Sequence, residues 1–341
     1  MREYIIIGAG AIGSVLGAYL KRKGVEVILI DENKEHIETI NSQGLTIEMP
    51  TGSFNTKIDA FSTEDFIEQR KESLKNVILS VKAQDTKRAL MPFIALLDED
   101  SSVVSCQNGL TESLVSEVIG EERTIGCFVN IYSDYLTPGL IKYGGQGSLY
   151  LGELNGEKSD RLYKIKEDLS EWGTPVITDN INGFIWSKLA YGSVLATTAL
   201  VDEKMATILS LEQYRPVFVR IAKEILCVAK EENINLENFE EWDPYSILNF
   251  QINSREVEEV FDNLVSRLKT YTKVKSGVWR DLAIKKKKTE MHSQLTPVFE
   301  RAEKHSLNLP LTKKMLTLIS EIEDNNREMS YKNLDILKSL L

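Results

Sequence analysis

The sequence predicts an α/β protein in which a doubly wound sheet of mainly parallel strands precedes an all-helical domain. Short β-branched segments alternate with helical patterns from the first residues onward, which is typical of βαβ units. After about residue 179 the strand signal disappears and helical periodicity continues. The 341 residues also exceed the ~250–300 at which a single hydrophobic core usually stops growing. We therefore expect two domains, residues 1–179 and residues 180–341.

The first predicted elements are short apolar strands, each followed by turn residues, with helical patterns between them. In chain order they are the strand Tyr4–Ile7, the helix Ala11–Lys23, the strand Val25–Ile30, the helix Lys34–Ser42 and the strands Val77–Val81 and Ser102–Ser105.

Between residues 124 and 153 the pattern changes to strands separated by turn residues, Pro138-Gly139 and the glycine-rich segment 144–147. This pattern predicts antiparallel strands that close the sheet. A helix and a final strand complete the first domain, and long helical patterns fill the second. The predicted elements are the helix Glu157–Glu171, the strand Pro175–Thr178 and the helices Phe184–Leu200, Leu211–Glu232, Ser254–Tyr271, Val278–His305 and Leu311–Asp324.

Composition limits the classes of partner. The chain has 41 Lys+Arg against 51 Asp+Glu and a net charge of −10, which argues against a nucleic-acid-binding protein. The basic run Lys285 to Lys288 lies in a helical pattern between Asp281 and Glu290, and we interpret it as a solvated face. No apolar segment reaches the ~18–20 residues of a membrane span, and the N-terminus does not resemble a signal peptide. We expect a cytoplasmic protein with neither a nucleic-acid nor a membrane partner.

Cysteine and histidine usage indicates no metal site. The three cysteines lack the paired spacing of zinc ligands, and an odd count does not suit a disulfide framework. His36, His292 and His305 share no ligand spacing, and we interpret each as a helix-surface or helix-end residue. A reducing compartment fits these observations best.

A glycine-rich turn follows the first predicted strand and opens the first predicted helix, which is the context of a dinucleotide-binding fingerprint. The first glycine permits a tight turn, the second lets the backbone approach a pyrophosphate, and the third lets helix and strand pack closely. The helix N-terminus adds aligned N–H donors. A Rossmann-type domain is therefore predicted, with a cofactor-binding turn formed by Gly8, Ala9, Gly10, Ala11, Ile12 and Gly13.

Asp31 ends the second predicted strand, 18 residues beyond Gly13. An acidic side chain there would accept hydrogen bonds from the ribose hydroxyls and repel a 2′-phosphate. This favours NAD(H) over NADP(H), although Glu32 and Lys34 lie nearby.

Polar residues follow two later strands. Lys82 and Asn108 come shortly after the strands at residues 77–81 and 102–105. Ligands of open α/β sheets bind outside the carboxyl ends of parallel strands, so we expect both side chains near the nicotinamide and the substrate. The segment around Lys188 opens the helical half, and we expect it to face the nicotinamide and the substrate from the other side of a cleft between the two halves.

The chain resembles the ketopantoate reductase family, also called 2-dehydropantoate 2-reductases, nearly from end to end. The order and spacing of several short motifs carry the resemblance: the segment 8–13, Val81-Lys82-Ala83, Gln107-Asn108-Gly109, Pro138-Gly139 with Gly144-Gly145, Gly152-Glu153, Trp186-Ser187-Lys188-Leu189, Thr198-Ala199-Leu200, and Asp281 with Thr289-Glu290.

The resemblance implies the NAD(P)H-dependent reduction of a 2-oxo acid to a 2-hydroxy acid, with NADP(H) as the family cofactor. It implies Lys188 as the proton donor and Glu290 as a neighbouring carboxylate that holds this lysine. Ser276 is the nearest candidate for the family's substrate-contacting serine. On one unbroken helix, Ser276 and Glu290 would be ~21 Å apart, so we expect Ser276 in a turn before the helix. A homodimer is a further expectation.

The chain departs from the family pattern beyond its lysine. Gly192 and Ala196 stand four and eight residues after Lys188, where the family pattern has asparagines that hold the substrate. These positions share one helix face, so we expect a roomier, less polar pocket and a substrate bulkier than ketopantoate. Two alternatives stay open: a related hydroxy-acid or opine-type dehydrogenase, and a dinucleotide-binding sensor with little turnover.

Overall fold

The computed structural model describes residues 2–145, 147–249, 255–270 and 273–341. The chain divides into two compact units, Met1–Ile181 and Asn182–Leu341. The first unit is a mixed α/β structure and the second is helical, which confirms the predicted fold class.

Twelve strands form in the described part of the first unit. They are β1 (Glu3–Ile7), β2 (Glu26–Ile30), β3 (Leu45–Met49), β4 (Gly52–Thr56), β5 (Asp59–Phe61), β6 (Asn76–Leu79), β7 (Ser102–Ser105), β8 (Thr124–Asn130), β9 (Ser133–Thr137), β10 (Leu140–Tyr143), β11 (Ser148–Glu153) and β12 (Val176–Ile177).

Six helices accompany these strands in the same part of the chain. They are α1 (Ala11–Arg22), α2 (Lys34–Gln43), α3 (Thr63–Gln69), α4 (Thr86–Leu90), α5 (Glu112–Ile119) and α6 (Asp160–Asp168). The predicted strands and helices that flank the glycine-rich turn are therefore present, with ends that differ by one residue.

Eight strands form the main sheet in the order β12-β11-β8-β7-β6-β1-β2-β5. Strands β1, β2, β6 and β7 pair in parallel, and their apolar side chains are buried on both faces of the sheet. Burial on both faces explains why these strands read as continuous apolar runs. At the end of the sheet formed by the later strands, β11 pairs antiparallel with β8.

A second sheet was not predicted. It has the order β4-β3-β10-β9, so the hairpin at Pro138-Gly139 joins β3 rather than closing the main sheet. The prediction that all strands of residues 124–153 close one sheet is wrong for β9 and β10. Pairing between β10 and β3 joins segments about ninety residues apart, and local patterning does not encode such a pairing. The predicted turn residue Gln146 lies outside the described residues.

The second unit is built from helices. They are α7 (Ile181–Thr197), α8 (Met205–Leu209), α9 (Arg215–Glu231), α10 (Pro244–Leu248), α11 (Arg255–Thr270), α12 (Gly277–Ala283), α13 (Met291–Lys304), α14 (Pro310–Glu323) and α15 (Tyr331–Lys338). The predicted ends of α11, Ser254 and Tyr271, lie outside the described residues. Within the described ranges, none of the helices is both long and apolar enough to cross a membrane.

A buried carboxylate joins two of these helices. Glu224 of α9 accepts hydrogen bonds from the backbone N–H groups of Leu311 (3.2 Å) and Thr312 (2.9 Å) and from the Thr312 hydroxyl (2.7 Å). Because the first N–H groups of a helix have no partner within the helix, Glu224 satisfies donors at the start of α14.

The predicted single helix Val278–His305 is wrong, because residues 284–290 separate α12 from α13. Lys286 in this break has φ +48°, and residues 285–288 are all exposed. The lysine run is solvated as predicted, but it lies between two helices. In this break Lys285 and Lys287 each lie 3.8 Å from the Asp281 carboxylate, and the Thr289 N–H donates to Glu323 Oε1 at 2.7 Å. The helical periodicity of the segment carries no information on the contact with Glu323, so it predicted one continuous helix.

Candidate active site

Four predicted cofactor-binding segments lie in a row along the carboxyl edge of the main sheet. The last residues of β2, β1, β6 and β7 are direct neighbours in the strand register. Strands lie about 4.8 Å apart, so the row spans about 14 Å. In spatial order it carries Asp31, the turn 8–13, Lys82 and Asn108.

Two glycines of the turn are required by close packing. Gly8 has φ +98°, and a Cβ there would lie 2.8 Å from the backbone nitrogen of Val81. At Gly13 a Cβ would lie 2.1 Å from the Gly8 carbonyl oxygen and 2.3 Å from Ser80 Oγ. Ser80 Oγ donates to that same carbonyl at 2.7 Å. These contacts hold the first turn of α1 against the ends of β1 and β6.

Gly10 borders open space instead. A Cβ built there would meet nothing within 4 Å among the described atoms. Gly10 is the residue directly before α1. Within the described structure no side chain caps this helix start, and the first turn of α1 contains no acidic residue. The N–H groups at Ala11 and Ile12 therefore lack intrahelical acceptors. Uncapped donors beside open space suit a pyrophosphate.

Asp31 is held beside this turn by two backbone donors. Its Oδ2 accepts from Ala9 N–H at 2.8 Å, and its Oδ1 accepts from Asn33 N–H at 2.9 Å. A carboxylate oxygen can accept more than one hydrogen bond, so the half-buried group retains capacity for a ribose hydroxyl.

His36 is the residue that sequence reasoning missed. His36 lies in the first turn of α2, as the helix-end interpretation expects, but the helix-surface interpretation is wrong, because its exposed fraction is 0%. The ring contacts the carbonyl of Ala9 and the N–H of Gly139, each at 2.9 Å. A signal was present, since His36 lies four residues before Ile40 and these positions share a helix face; Ile40 is also buried.

Gln107 links the turns that carry Lys82 and Asn108. Its Nε2 donates to the Val81 carbonyl at 3.0 Å and to Thr86 Oγ1 at 2.8 Å. Gln107 belongs to one of the motifs that carry the family resemblance, but no role was predicted for it. The buried amide fixes the two turns relative to each other.

In the second unit, Lys188 lies in the middle of α7 and is partly exposed between buried neighbours. Gly192 is also partly exposed, and a Cβ there would meet nothing within 4 Å outside its own helix backbone. Ala196 is only 1% exposed. Of the positions four and eight residues beyond Lys188, Gly192 therefore borders open space and Ala196 does not.

Ser276 and Glu290 lie at the starts of two different helices. Ser276 precedes α12, where its side chain accepts from Trp279 N–H at 3.2 Å. Glu290 precedes α13, and its backbone carbonyl accepts from Gln294 N–H at 2.9 Å. The turn expected at Ser276 is present, while Glu290 stands just before its helix.

No group of three or more His, Cys, Asp or Glu residues suited to a metal ion occurs in the described ranges. The parallel strand edge, the close-packed glycine turn and the uncapped helix start together define a dinucleotide-binding protein of the Rossmann type.

Comparison with known proteins identifies the family. A model described as "Ketopantoate reductase PanE/ApbA" matches residues 4–156, and its counterpart "Ketopantoate reductase PanE/ApbA C terminal" matches residues 180–323. The chain belongs to the ketopantoate reductase family and is an NAD(P)-dependent oxidoreductase.

One curated relative carries the family's enzyme name, and two solved structures share the fold. A protein of Pyrococcus horikoshii named 2-dehydropantoate 2-reductase is 28% identical over 326 residues, covering 95% of this chain and 98% of the relative. The crystal structure of a PanE/ApbA family ketopantoate reductase from Ralstonia eutropha has a TM-score of 0.78 and 22% identity, covering 96% and 100% of the two chains. D-mandelate dehydrogenase in ternary complex with NADH and anilino(oxo)acetate has a TM-score of 0.80 and 23% identity, covering 95% and 99%. The structural similarities show a common fold.

Proposed function

We propose that this protein reduces a 2-oxo acid to a 2-hydroxy acid with a reduced nicotinamide cofactor, and that ketopantoate is the reference substrate. The observation that carries this proposal is the match of both halves of the chain to ketopantoate reductase models. The name of the Pyrococcus horikoshii relative, 2-dehydropantoate 2-reductase, supports the same substrate class.

Lys188 is the proposed proton donor. The bound cofactor supplies a hydride to the carbonyl carbon, and negative charge then develops on the carbonyl oxygen. An ammonium group close to that oxygen stabilises the charge and transfers a proton from Nζ to it, which completes the hydroxyl. Glu290 is proposed to orient Lys188, and Ser276 to contact the substrate. Lys82 and Asn108 are proposed to contact the nicotinamide end of the cofactor and the substrate.

Asp31 supports a preference for NAD(H). Its carboxylate is fixed beside the glycine turn by Ala9 and Asn33, so a 2′-phosphate at the adjacent ribose would meet a negative charge. The nearby guanidinium of Arg88 is paired with Glu32 at 2.5 Å and with Asp85 at 3.0 Å. We expect Asp31→Ser to weaken NADH binding and to reduce the discrimination against NADPH.

Gly192 supports the hypothesis of a substrate bulkier than ketopantoate. The open space beside it could receive a larger side chain, and no amide side chain is present at this position to hold a polar group. A related hydroxy-acid or opine-type dehydrogenase with a bulkier substrate is the second candidate function.

The decisive assay follows absorbance of the reduced nicotinamide, with NADH and NADPH tested separately. The substrates are ketopantoate and a series of 2-oxo acids with larger side chains. Turnover of ketopantoate at ordinary enzyme rates would contradict the hypothesis of a bulkier substrate. Dinucleotide binding without oxidation by any 2-oxo acid would contradict the reductase proposal and favour a sensor.

Lys188→Met tests the proton donor, with Lys332→Met as the matched control because Lys332 is exposed in the same unit. We expect kcat to fall about 100-fold or more in the first variant and to stay unchanged in the second. Equal rates in the two variants would contradict the role of Lys188.

We further propose that two chains pair through the helical half and that the protein is cytoplasmic, both as predicted from the sequence. Sedimentation equilibrium tests the pairing, and a mass of one chain at micromolar concentration would contradict it.

A further inference from the structure

His36 connects the glycine turn to the second sheet. Its Nδ1 accepts a hydrogen bond from Gly139 N–H at 2.9 Å, in the turn between β9 and β10. Its Nε2 lies 2.9 Å from the carbonyl oxygen of Ala9. The ring also packs edge-on against Tyr135, with centroids 4.9 Å apart.

These contacts define the protonation state of the ring. A backbone N–H can only donate, so Nδ1 must be unprotonated. The proton therefore sits on Nε2, which donates to the Ala9 carbonyl. Burial lowers the pKa of His36, while the Ala9 hydrogen bond and the Asp31 charge act in the opposite direction. The neutral ring is thus both a donor and an acceptor.

The Ala9 peptide groups are held from several sides. The Ala9 N–H donates to Asp31 Oδ2 at 2.8 Å, and the Ala9 carbonyl accepts from Ser14 Oγ at 2.7 Å in addition to His36. The described peptide bonds are trans. In a planar trans peptide the carbonyl and the following N–H point in opposite directions. The hydrogen bonds to the Ala9 carbonyl therefore direct the Gly10 N–H away from the fully buried side chains of Ser14 and His36.

We propose that His36 is a positioning residue for the dinucleotide. By holding the Ala9 carbonyl, it presets the direction of the Gly10 N–H, and Gly10 also borders the open space where a pyrophosphate would bind. This inference rests on the proposed binding of a nicotinamide dinucleotide by the first unit. It concerns cofactor affinity and assigns His36 no part in proton transfer.

Two polar substitutions separate the two hydrogen bonds of the ring. The amide nitrogen of His36→Gln can occupy the position of Nε2 and donate to Ala9. The amide oxygen of His36→Asn can occupy the position of Nδ1 and accept from Gly139, but this shorter side chain does not reach Ala9. We expect the dissociation constant for NADH to rise about tenfold in His36→Asn and less than threefold in His36→Gln. At saturating NADH, kcat should stay within about twofold of the wild type in both.

The controls distinguish positioning from general destabilisation. Ile40→Val trims a buried residue of the same helix and should lower thermal stability without changing NADH affinity. Ser14→Ala removes the other donor to the Ala9 carbonyl from a different element, so it provides an independent test if His36→Asn does not fold. We expect it to weaken NADH binding severalfold.

Fluorescence titration measures the NADH affinity of each variant, and steady-state kinetics measure its kcat. Equal affinity in His36→Asn and the wild type, equal losses in His36→Asn and His36→Gln, or a loss of kcat at unchanged affinity would each overturn the inference. Unchanged affinity in Ser14→Ala would also count against it. Failure of the wild type to bind either NADH or NADPH would instead overturn the proposed function.

Discussion

Replacing Gly10 and Gly13 separately by alanine should separate the packing role of the glycine turn from its cofactor role. Both residues lie in the same turn, but their surroundings are opposite. A Cβ on Gly13 would be 2.1 Å from a backbone oxygen, whereas a Cβ on Gly10 would meet nothing within 4 Å. We expect Gly13→Ala to destabilise the fold and Gly10→Ala to leave the fold intact while weakening NADH binding.

The magnitude for Gly13→Ala follows from that contact. Nonbonded carbon and oxygen atoms rarely approach within 3.0 Å, so the start of α1 must move about 1 Å away from Gly8. Overpacking of this kind costs about 1–3 kcal/mol, and loss of the Ser80 hydrogen bond to Gly8 adds about 1 kcal/mol. Alanine recovers about 1 kcal/mol of helix propensity. We expect a net loss of about 2 kcal/mol, or roughly 4–8 °C in Tm.

For Gly10→Ala, the favourable and unfavourable contributions to the free energy of unfolding nearly cancel. Gly10 has φ −70°, which alanine adopts freely, and the loss of unfolded-state entropy favours the variant by about 0.4–1 kcal/mol. Alanine is a poorer residue than glycine before a helix, by a similar amount. The added methyl group enters the space proposed for the pyrophosphate, so the NADH dissociation constant should rise at least tenfold.

Thermal unfolding and NADH fluorescence titration measure both effects on the same samples. A wild-type Tm for Gly13→Ala would refute the packing argument. Wild-type NADH affinity for Gly10→Ala would refute the placement of the pyrophosphate, provided that the wild-type protein binds NADH.

Three further predictions concern stability. Glu224→Ala should lower the free energy of unfolding by about 3 kcal/mol, because it leaves buried donors of α14 unpaired; urea unfolding should show less than half this loss for Glu224→Gln, and equal losses would contradict the account. Burial lowers the pKa of His36 in the folded protein, so below the usual histidine pKa of about 6.5 the unfolded chain binds more protons than the folded one. The contribution of His36 to the free energy of unfolding should therefore be complete above that pH and decrease as pH falls. An identical pH dependence of unfolding in His36→Gln would contradict this prediction. Gly192→Ala should raise the unfolding free energy by about 1 kcal/mol, because the added Cβ would meet nothing within 4 Å outside its chain neighbours and its own helix backbone; a lower Tm would contradict this prediction.

The glycine turn and its flanking elements could be predicted because their signals are local. An apolar run, a glycine pattern and a helical period are all contained within residues 4–30, and the structure has the expected strands and helix there. The order of the parallel strands then places Asp31, Lys82 and Asn108 along one edge. Their roles, and those of Lys188, Glu290, Gly192, Ala196 and Ser276, stay predictions.

The sequence by itself determined the fold class, the family and the dinucleotide turn, since these depend on short patterns and their order along the chain. Tertiary structure alone decided the second sheet, the helix break at residues 284–290 and the hydrogen-bond partners of His36. Each of these involves contacts between distant segments: β10 beside β3, the Thr289 N–H on the Glu323 carboxylate at 2.7 Å, and Gly139 beside His36. Pairing across about one hundred residues is selected by the total burial and hydrogen bonding of the folded chain, which no local window of sequence contains.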